Sequence, residues 1–179
     1  MAYTLISEQT ASASATLDFT TGIDSTYDLY EFHVINAHPA TNAKDLGFQA
    51  NAAGQTGFNE QITSSHYRAY HNEADTAAAL WSGYPGQSQS NGTAYQTLFH
   101  EVGNGADECA SGILKIWQPS SSTYLTHFQA TFTGYYAANF VMFSFTNGYI
   151  HTATAIDEIS FKFSSGNIDD GTFKLYGVT

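Results

Sequence analysis

IDEISFKFSSGNIDDGTFKLYGV, residues 156–178, is the stretch that decides the fold. The apolar residues of its first half all fall on one side of an extended chain: Ile159, Phe161 and Phe163. The second half repeats this alternation with Phe173 and Leu175. A period of two is typical of a β-strand with one buried face. The stretch therefore predicts two antiparallel strands joined as a hairpin by the glycine-containing turn 165–171. The last strand is expected to lie inside a sheet, because an exposed apolar edge would aggregate.

The same alternation recurs upstream. It is clearest in a predicted strand over residues 27–36, where Tyr30, Phe32 and Val34 share one face. A proline cannot donate to a strand ladder, so His38-Pro39 is expected to end that strand. Further strands are predicted around Leu46 and Phe48 and at five more places: residues 62–70, 95–102, 111–117, 124–133 and 139–146.

Turn signals separate these strands, and almost no segment has a helical pattern. Asn147-Gly148 is a typical hairpin turn between two aromatic-rich strands. Only residues 75–80 (DTAAAL) have a helix-like composition. Regularly spaced short strands of this kind predict an all-β fold. We expect an antiparallel two-sheet β-sandwich of jelly-roll type with at most one short helix.

The chain length predicts one domain over residues 1–179, with residues 1–16 as an extended N-terminal arm. The N-terminus lacks the basic and apolar pattern of a signal peptide, and no apolar run approaches the roughly 20 residues of a membrane helix. The single cysteine, Cys109, excludes an intramolecular disulfide.

The charge balance narrows the classes of partner. The chain has 5 Lys+Arg against 16 Asp+Glu, a formal net charge of −11. Binding to a phosphate backbone or to an anionic membrane needs clustered basic residues. We therefore expect no nucleic-acid and no membrane partner, and a protein partner that is neutral or basic.

The sequence contains no recognisable catalytic motif. Its seven histidines lack the spacing that would put two on one face of a strand or helix, and no nucleophile elbow or P-loop occurs. Residues 167–171 (NIDDG) offer oxygen ligands for calcium but fit a solvated turn better. We expect no enzyme activity, no catalytic residue, no metal and no cofactor.

Aromatic residues make up 15% of the chain and are the feature with most functional weight. A sandwich core absorbs most phenylalanines and leaves tyrosines for loops and rims, where they favour protein interfaces or stack on sugars. The predicted interface residues are Tyr3, Leu5, Ile6, Trp81, Tyr84, Tyr135, Tyr136 and Val178.

Three segments resemble a family of tailed-bacteriophage virion proteins that is common in phages of marine and freshwater bacteria. They are residues 10–19 (TASASATLDF), 27–39 (YDLYEFHVINAHP) and 165–177 (SGNIDDGTFKLYG). The resemblance implies a β-sandwich that decorates capsids or forms tail or fibre parts. It implies no catalytic residues.

Two functions are therefore expected as alternatives. The first is a capsid decoration (cement) protein of the virion that binds the major capsid protein and copies of itself. The second is a carbohydrate-binding jelly-roll module that recognises host surface glycans, with Trp81, Tyr84, Tyr135 and Tyr136 as platforms. A β-sandwich glycosidase or lyase is a third, weaker reading, because only scattered carboxylates support it.

Overall fold

The computed structural model of this chain describes residues 2–82 and 86–179. Within these ranges every regular element is a β-strand, every strand pairing is antiparallel, and no helix occurs. The predicted all-β antiparallel class is confirmed. Tyr84, one of the predicted interface residues, lies outside the described residues.

The described chain contains twelve strands. In order they are β1 (Tyr3–Thr10), β2 (Leu17–Phe19), β3 (Leu29–Pro39), β4 (Lys44–Ala52), β5 (Ile62–Asn72), β6 (Ala78–Ser82), β7 (Gln96–Val102), β8 (Ala110–Trp117), β9 (Thr126–Tyr136), β10 (Phe140–Ile150), β11 (Ile156–Phe163) and β12 (Ile168–Val178).

Hydrogen bonds join the twelve strands into one sheet that branches at β9. The main path runs β1-β12-β3-β8-β9-β7-β4-β11-β2, and a branch leads from β9 through β10 and β5 to β6. The link between β9 and β7 is one pairing, Val102 with Tyr136. By contrast, β9 and β10 pair along their length, from Tyr136↔Phe140 to Thr126↔Ile150.

The two ends of the main path approach each other. The side chain of Gln9 in β1 donates a hydrogen bond of 2.8 Å to the carbonyl oxygen of Asp18 in β2. The sheet is therefore nearly closed, like a barrel. Among the described strands, β6 lies at the end of the branch and pairs with β5.

The core is formed mainly by phenylalanine rings that meet across the interior. Phe19 of β2 packs edge-on against Phe32 of β3 with centroids 5.2 Å apart, and Phe161 of β11 lies 5.3 Å from Phe173 of β12. These strand pairs share no hydrogen bonds, so the rings join opposite sides of the sheet. Each buried ring contributes about 1.5–3 kcal/mol through removal of apolar surface from water. The predicted burial of Phe32, Phe161 and Phe173 is confirmed.

The two C-terminal strands do not form the predicted hairpin with each other. β11 pairs with β4 and β2, whereas β12 pairs with β3 and β1. Both strands carry one apolar face, and two such faces bury more surface when they oppose each other across the core than when they lie side by side. The exposed turn after Phe163 therefore leads the chain from one side of the core to the other along the surface. The expected place of the last strand inside the sheet is correct.

The prediction of a short helix at residues 75–80 is wrong. The Asn72 side-chain oxygen accepts hydrogen bonds from the backbone N–H of Thr76 and Ala77, each 2.9 Å long, and closes a turn. Asp75 has a φ of 54°, outside the right-handed helical region. A six-residue helix is also too short to be stable alone. The chain reverses instead, and Ala78 pairs with His71.

Asn147-Gly148 is not a turn, contrary to the prediction. Both residues lie inside β10, between β9 and β5. A Cβ on Gly148 would collide with the carbonyl oxygen of Thr63 and the ring of Phe128, so the glycine is required by close packing. The β9–β10 connection lies earlier, where Asn139 has a φ of 64°.

Pro39 ends its strand, as was expected, although the strand extends beyond the predicted bound at residue 36. It is the last residue of β3 and still faces Ile168 of β12. The register between the two strands shifts around Asp170, and irregular pairing of this kind accommodates a residue that has no N–H to donate.

The N-terminal segment is part of the sheet. Residues 3–10 of the predicted arm form β1, which pairs with β12 from Tyr3↔Val178 to Thr10↔Thr172. Among the described residues, no helix is long and apolar enough to span a membrane.

Candidate functional site

The predicted interface residues do not form one surface. Tyr3 and Leu5 are exposed on the edge strand β1. Ile6 packs against the hydrophobic core. Val178 is buried between β1 and β3, so its side chain is not available to a partner.

Tyr135 and Tyr136 point to opposite sides of β9. Consecutive residues of a strand alternate between the two faces of a sheet. Tyr136 packs on Phe140 with ring centroids 5.5 Å apart, on the side that faces the core. Tyr135 lies on the other side, where it lines a surface cleft. The two tyrosines therefore belong to two separate candidate sites.

The first candidate site is an exposed apolar surface, here called the outer apolar face. Its members are Tyr67, Leu80, Val141, Phe143 and Phe145. Leu80 lies opposite Ala69, which lies opposite Phe143, so the patch continues across β6, β5 and β10.

Exposure of the outer apolar face is large for its residue types. Leu80, Val141 and Phe143 are 76%, 58% and 47% exposed. Tyr67 stacks on Phe145 with centroids 4.9 Å apart. Single exposed apolar side chains need no explanation, but a contiguous group is typical of an interaction site.

A cleft of about 450 Å³ adjoins this face and is lined by Val141 and Tyr135. The Tyr135 hydroxyl donates a hydrogen bond of 3.0 Å to Asn139. Burial and then the charge of nearby Glu73, with further acidic neighbours, raise the pKa of Tyr135. The rim of the cleft is therefore acidic, which favours a partner surface with basic groups.

The second candidate site is a pocket of about 280 Å³ on the core-facing side of β5, β6, β9 and β10, here called the inner pocket. Among the described residues, its lining is aromatic and apolar apart from one guanidinium group. The lining residues are Arg68, Tyr70, Trp81, Tyr136, Ala138, Phe140 and Met142. Cross-strand pairing explains the grouping, because Trp81 lies opposite Arg68 and Tyr136 opposite Phe140.

A buried polar cluster lies next to the inner pocket. His100 stacks on Tyr136, and its Nδ1 atom lies 2.9 Å from Oδ1 of Asp45. Burial alone would raise the pKa of Asp45, but hydrogen bonding with His100 and its charge outweigh burial and lower that pKa. Burial, followed by the charge of Arg68, lowers the pKa of His66 to about 4.

The loop that was considered for calcium does not gather ligands. Asp169 and Asp170 are exposed beside a groove that also contains Glu108 and Cys109. Nowhere in the described part of the chain do three His, Cys, Asp or Glu side chains converge to hold a metal ion. Burial raises the pKa of the Cys109 thiol, which makes it a weaker nucleophile at neutral pH.

Sequence reasoning missed Arg68 and most of the outer apolar face. Arg68 carries a signal in the sequence, because it is the one arginine of a strongly acidic chain and lies between Tyr67 and Tyr70. Phe143 and Phe145 were expected in the core with most other phenylalanines, and this was wrong for Phe143, which is exposed. An alternating strand leaves undecided which of its faces is buried.

Comparison with protein-family models, with curated proteins and with solved structures finds no match for this chain.

Proposed function

We propose that this chain is a non-enzymatic structural protein of a tailed-bacteriophage virion, acting as a capsid decoration protein on the major capsid shell. Its partners are the major capsid protein and further copies of itself. The resemblance of residues 10–19, 27–39 and 165–177 to virion proteins suggests the setting. The outer apolar face suggests how the chain would bind there.

The observation that carries this proposal is the exposure of three large apolar side chains on adjoining strands. Leu80, Val141 and Phe143 present to solvent a surface that a second protein would remove from water. Burying it contributes about 25 cal/mol for each Å² of apolar area. Because a capsid repeats its binding sites by symmetry, modest contacts at each copy add up through neighbouring copies.

The acidic rim beside Tyr135 adds selectivity. After burial, the charges of Glu73, Glu108 and Asp107 raise the pKa of this tyrosine, so a docked partner meets negative potential at the cleft. A capsid surface with lysine or arginine at the matching place would be favoured, and like charges would be rejected.

The division of the strands into two sheets is also part of this proposal. We interpret the strand pairings as a two-sheet sandwich of jelly-roll type, with β7, β4, β11 and β2 in one sheet and the remaining strands in the other. The single pairing between β9 and β7 and the ring contact between Phe19 and Phe32 support this interpretation.

Replacement of Phe143 by glutamate tests the binding surface. A charge at the centre of the outer apolar face is expected to weaken binding to purified shells at least about tenfold, since a buried unpaired carboxylate costs more than 1.4 kcal/mol. The matched control is Tyr124→Glu. Tyr124 is also exposed, but it lies just before the first residue of β9, outside the outer apolar face. Co-sedimentation with shells measures both variants; equal binding by the wild type and Phe143→Glu would contradict the proposal.

A decoration protein should also strengthen the particle. Capsids that carry the chain are expected to resist heat and osmotic shock better than capsids without it. Identical disruption temperatures for the two kinds of capsid would exclude the decoration role.

The carbohydrate-binding alternative has one specific observation in its favour. Trp81 and Tyr136, two of the four expected sugar platforms, line the same pocket. Tyr135 does not belong to it. A glycan-binding module on a tail fibre would use this inner pocket rather than the outer apolar face.

A further inference from the structure

We infer that the inner pocket binds an acidic sugar unit, a pyranose ring that carries a carboxylate. This inference extends the carbohydrate-binding alternative and is independent of the assembly role, because the inner pocket and the outer apolar face lie on opposite sides of the same strands. It rests on the walls of the pocket, on the charge at Arg68 and on the size of the space.

The walls of the pocket are rings that hold one another in place. Tyr70 packs edge-on against Phe140 with centroids 5.2 Å apart, and Tyr136 packs against the same ring at 5.5 Å. Trp81 closes the side formed by β6. The C–H face of a pyranose ring is apolar and packs on the negative face of an aromatic ring. Rings that are already packed lose little conformational freedom when they bind such a ligand.

The polar group in the wall is a permanently charged one. Arg68 is the one arginine of the chain and is only 7% exposed. Its guanidinium carbon lies 5.8 Å from the centre of the Trp81 ring, so the charge and the aromatic wall are neighbours. A guanidinium group carries a permanent positive charge that attracts a carboxylate, and this attraction is stronger away from bulk water. A ligand that brings a carboxylate beside an apolar ring face would match both features.

The size of the pocket limits the ligand. About 280 Å³ lies at the lower end of the range of small-molecule sites, which is roughly 300–1,000 Å³. One sugar unit suits this space better than a chain of several. The reducing and non-reducing neighbours of a polysaccharide would therefore extend from the pocket into solvent.

Tryptophan fluorescence gives a direct test with full-length protein. The chain has two tryptophans, Trp81 in the pocket and Trp117 on β8, so the variant Trp117→Phe leaves Trp81 as the reporter. Methyl glucuronide and methyl glucoside differ only at C6, where the first has a carboxylate and the second a hydroxymethyl group, so they form a matched pair of ligands. The expected result is a saturable fluorescence change with the glucuronide and binding at least about tenfold weaker with the glucoside. An equal response to both, or no saturable response to either, would overturn the inference.

Variants then locate the binding site by calorimetric titration with the glucuronide. Trp81→Ala and Arg68→Gln are each expected to weaken binding at least about tenfold, because the first removes an aromatic wall and the second removes the positive charge. Trp117→Ala is the control, since the two tryptophans are similarly exposed at 43% and 38%. Thermal unfolding of each variant checks that the fold is kept. Unchanged affinity in a folded Trp81→Ala variant would contradict the site. A galacturonide and N-acetylneuraminic acid, compared in the same titration, distinguish between acidic sugars.

The assembly role and this inference fail separately. Shell binding that is lost in Phe143→Glu but kept in Trp81→Ala would support the assembly role and would say nothing about the pocket. Glucuronide binding that is lost in Trp81→Ala but kept in Phe143→Glu would support the pocket as the sugar site and would say nothing about the assembly role.

Discussion

At the scale of single residues, the most unusual group is the buried histidine next to the inner pocket. His66 is 1% exposed, and its Nδ1 atom lies 2.8 Å from the hydroxyl of Thr146. Burial and the positive charges of Arg68 and His100 oppose its protonation, although Asp45 favours it. The folded protein therefore keeps this ring neutral at a pH where an unfolded chain would protonate it.

This histidine predicts an acid-sensitive stability. The pKa of His66 is about 4 in the folded chain and about 6.5 when unfolded, so the unfolded state binds more protons between these values. The free energy of unfolding is expected to fall on acidification through this window, by on the order of 3 kcal/mol in all. Urea unfolding of the wild type and His66→Gln at pH 7 and pH 4.5 measures the effect.

The variant should lose much of the pH dependence within that window. His127→Gln serves as the control, because His127 is exposed on β9. A wild-type unfolding free energy that is equal at the two pH values would contradict a neutral buried His66. Loss of stability below pH 4 reports on carboxylates such as Asp45, whose pKa is lowered.

Residue type alone did not reveal the role of Gly148. Glycine suits both a tight turn and a place where another backbone approaches closely, and Asn147-Gly148 fits the first on sequence. The collision that forbids a side chain at Gly148 involves Thr63 and Phe128, which are distant in sequence. Only the strand pairing brings these groups together.

At the scale of elements, the alternating pattern of each strand was predictable but its partner was not. The apolar faces of β11 and β12 are where the sequence predicts them. Pairing depends on which opposing faces bury more surface across the whole chain, and a short polar turn is compatible with either a hairpin or a crossing. The crossing brings Phe161 against Phe19, Phe32 and Phe173.

Phe161 is therefore expected to be a main stabilising residue of the fold. Phe161→Ala should lower the free energy of unfolding by about 3–5 kcal/mol, because it leaves a cavity among packed rings. Phe143→Ala is the matched control and should cost less than about 1 kcal/mol, because that ring is nearly half exposed. Chemical denaturation compares the two variants with the wild type. Similar losses in both would argue against a core built around the ring contacts of Phe161.

The segment from Asn72 to Ser82 illustrates a second limit at this scale. Alanine favours helices, and residues 75–80 have no stronger local signal. A strand is formed there because Ala78, Leu80 and Ser82 extend the ladder of β5. Tertiary pairing outweighs a propensity of a few tenths of a kcal/mol per residue. The same pairing creates both candidate sites, since it places Trp81 on one side of the sheet and Leu80 on the other.

At the scale of the whole molecule, the two sides of the β5–β6–β10 branch divide the possible functions. The core-facing side holds an aromatic pocket with a guanidinium group, and the other side exposes apolar residues next to an acidic cleft. Composition predicted a partner that is neutral or basic and an excess of tyrosine at surfaces. It could not predict which tyrosines share a surface, because neighbours in a strand, such as Tyr135 and Tyr136, separate to opposite sides.

The number of copies in each virus particle tests the assembly role most directly. Quantitative mass spectrometry of purified particles would compare this chain with the major capsid protein. A decoration protein is expected in hundreds of copies per particle, close to a simple ratio with the shell protein. A few copies per particle would move the chain to the tail and favour glycan recognition, and absence from the particles would contradict any structural role in the virion.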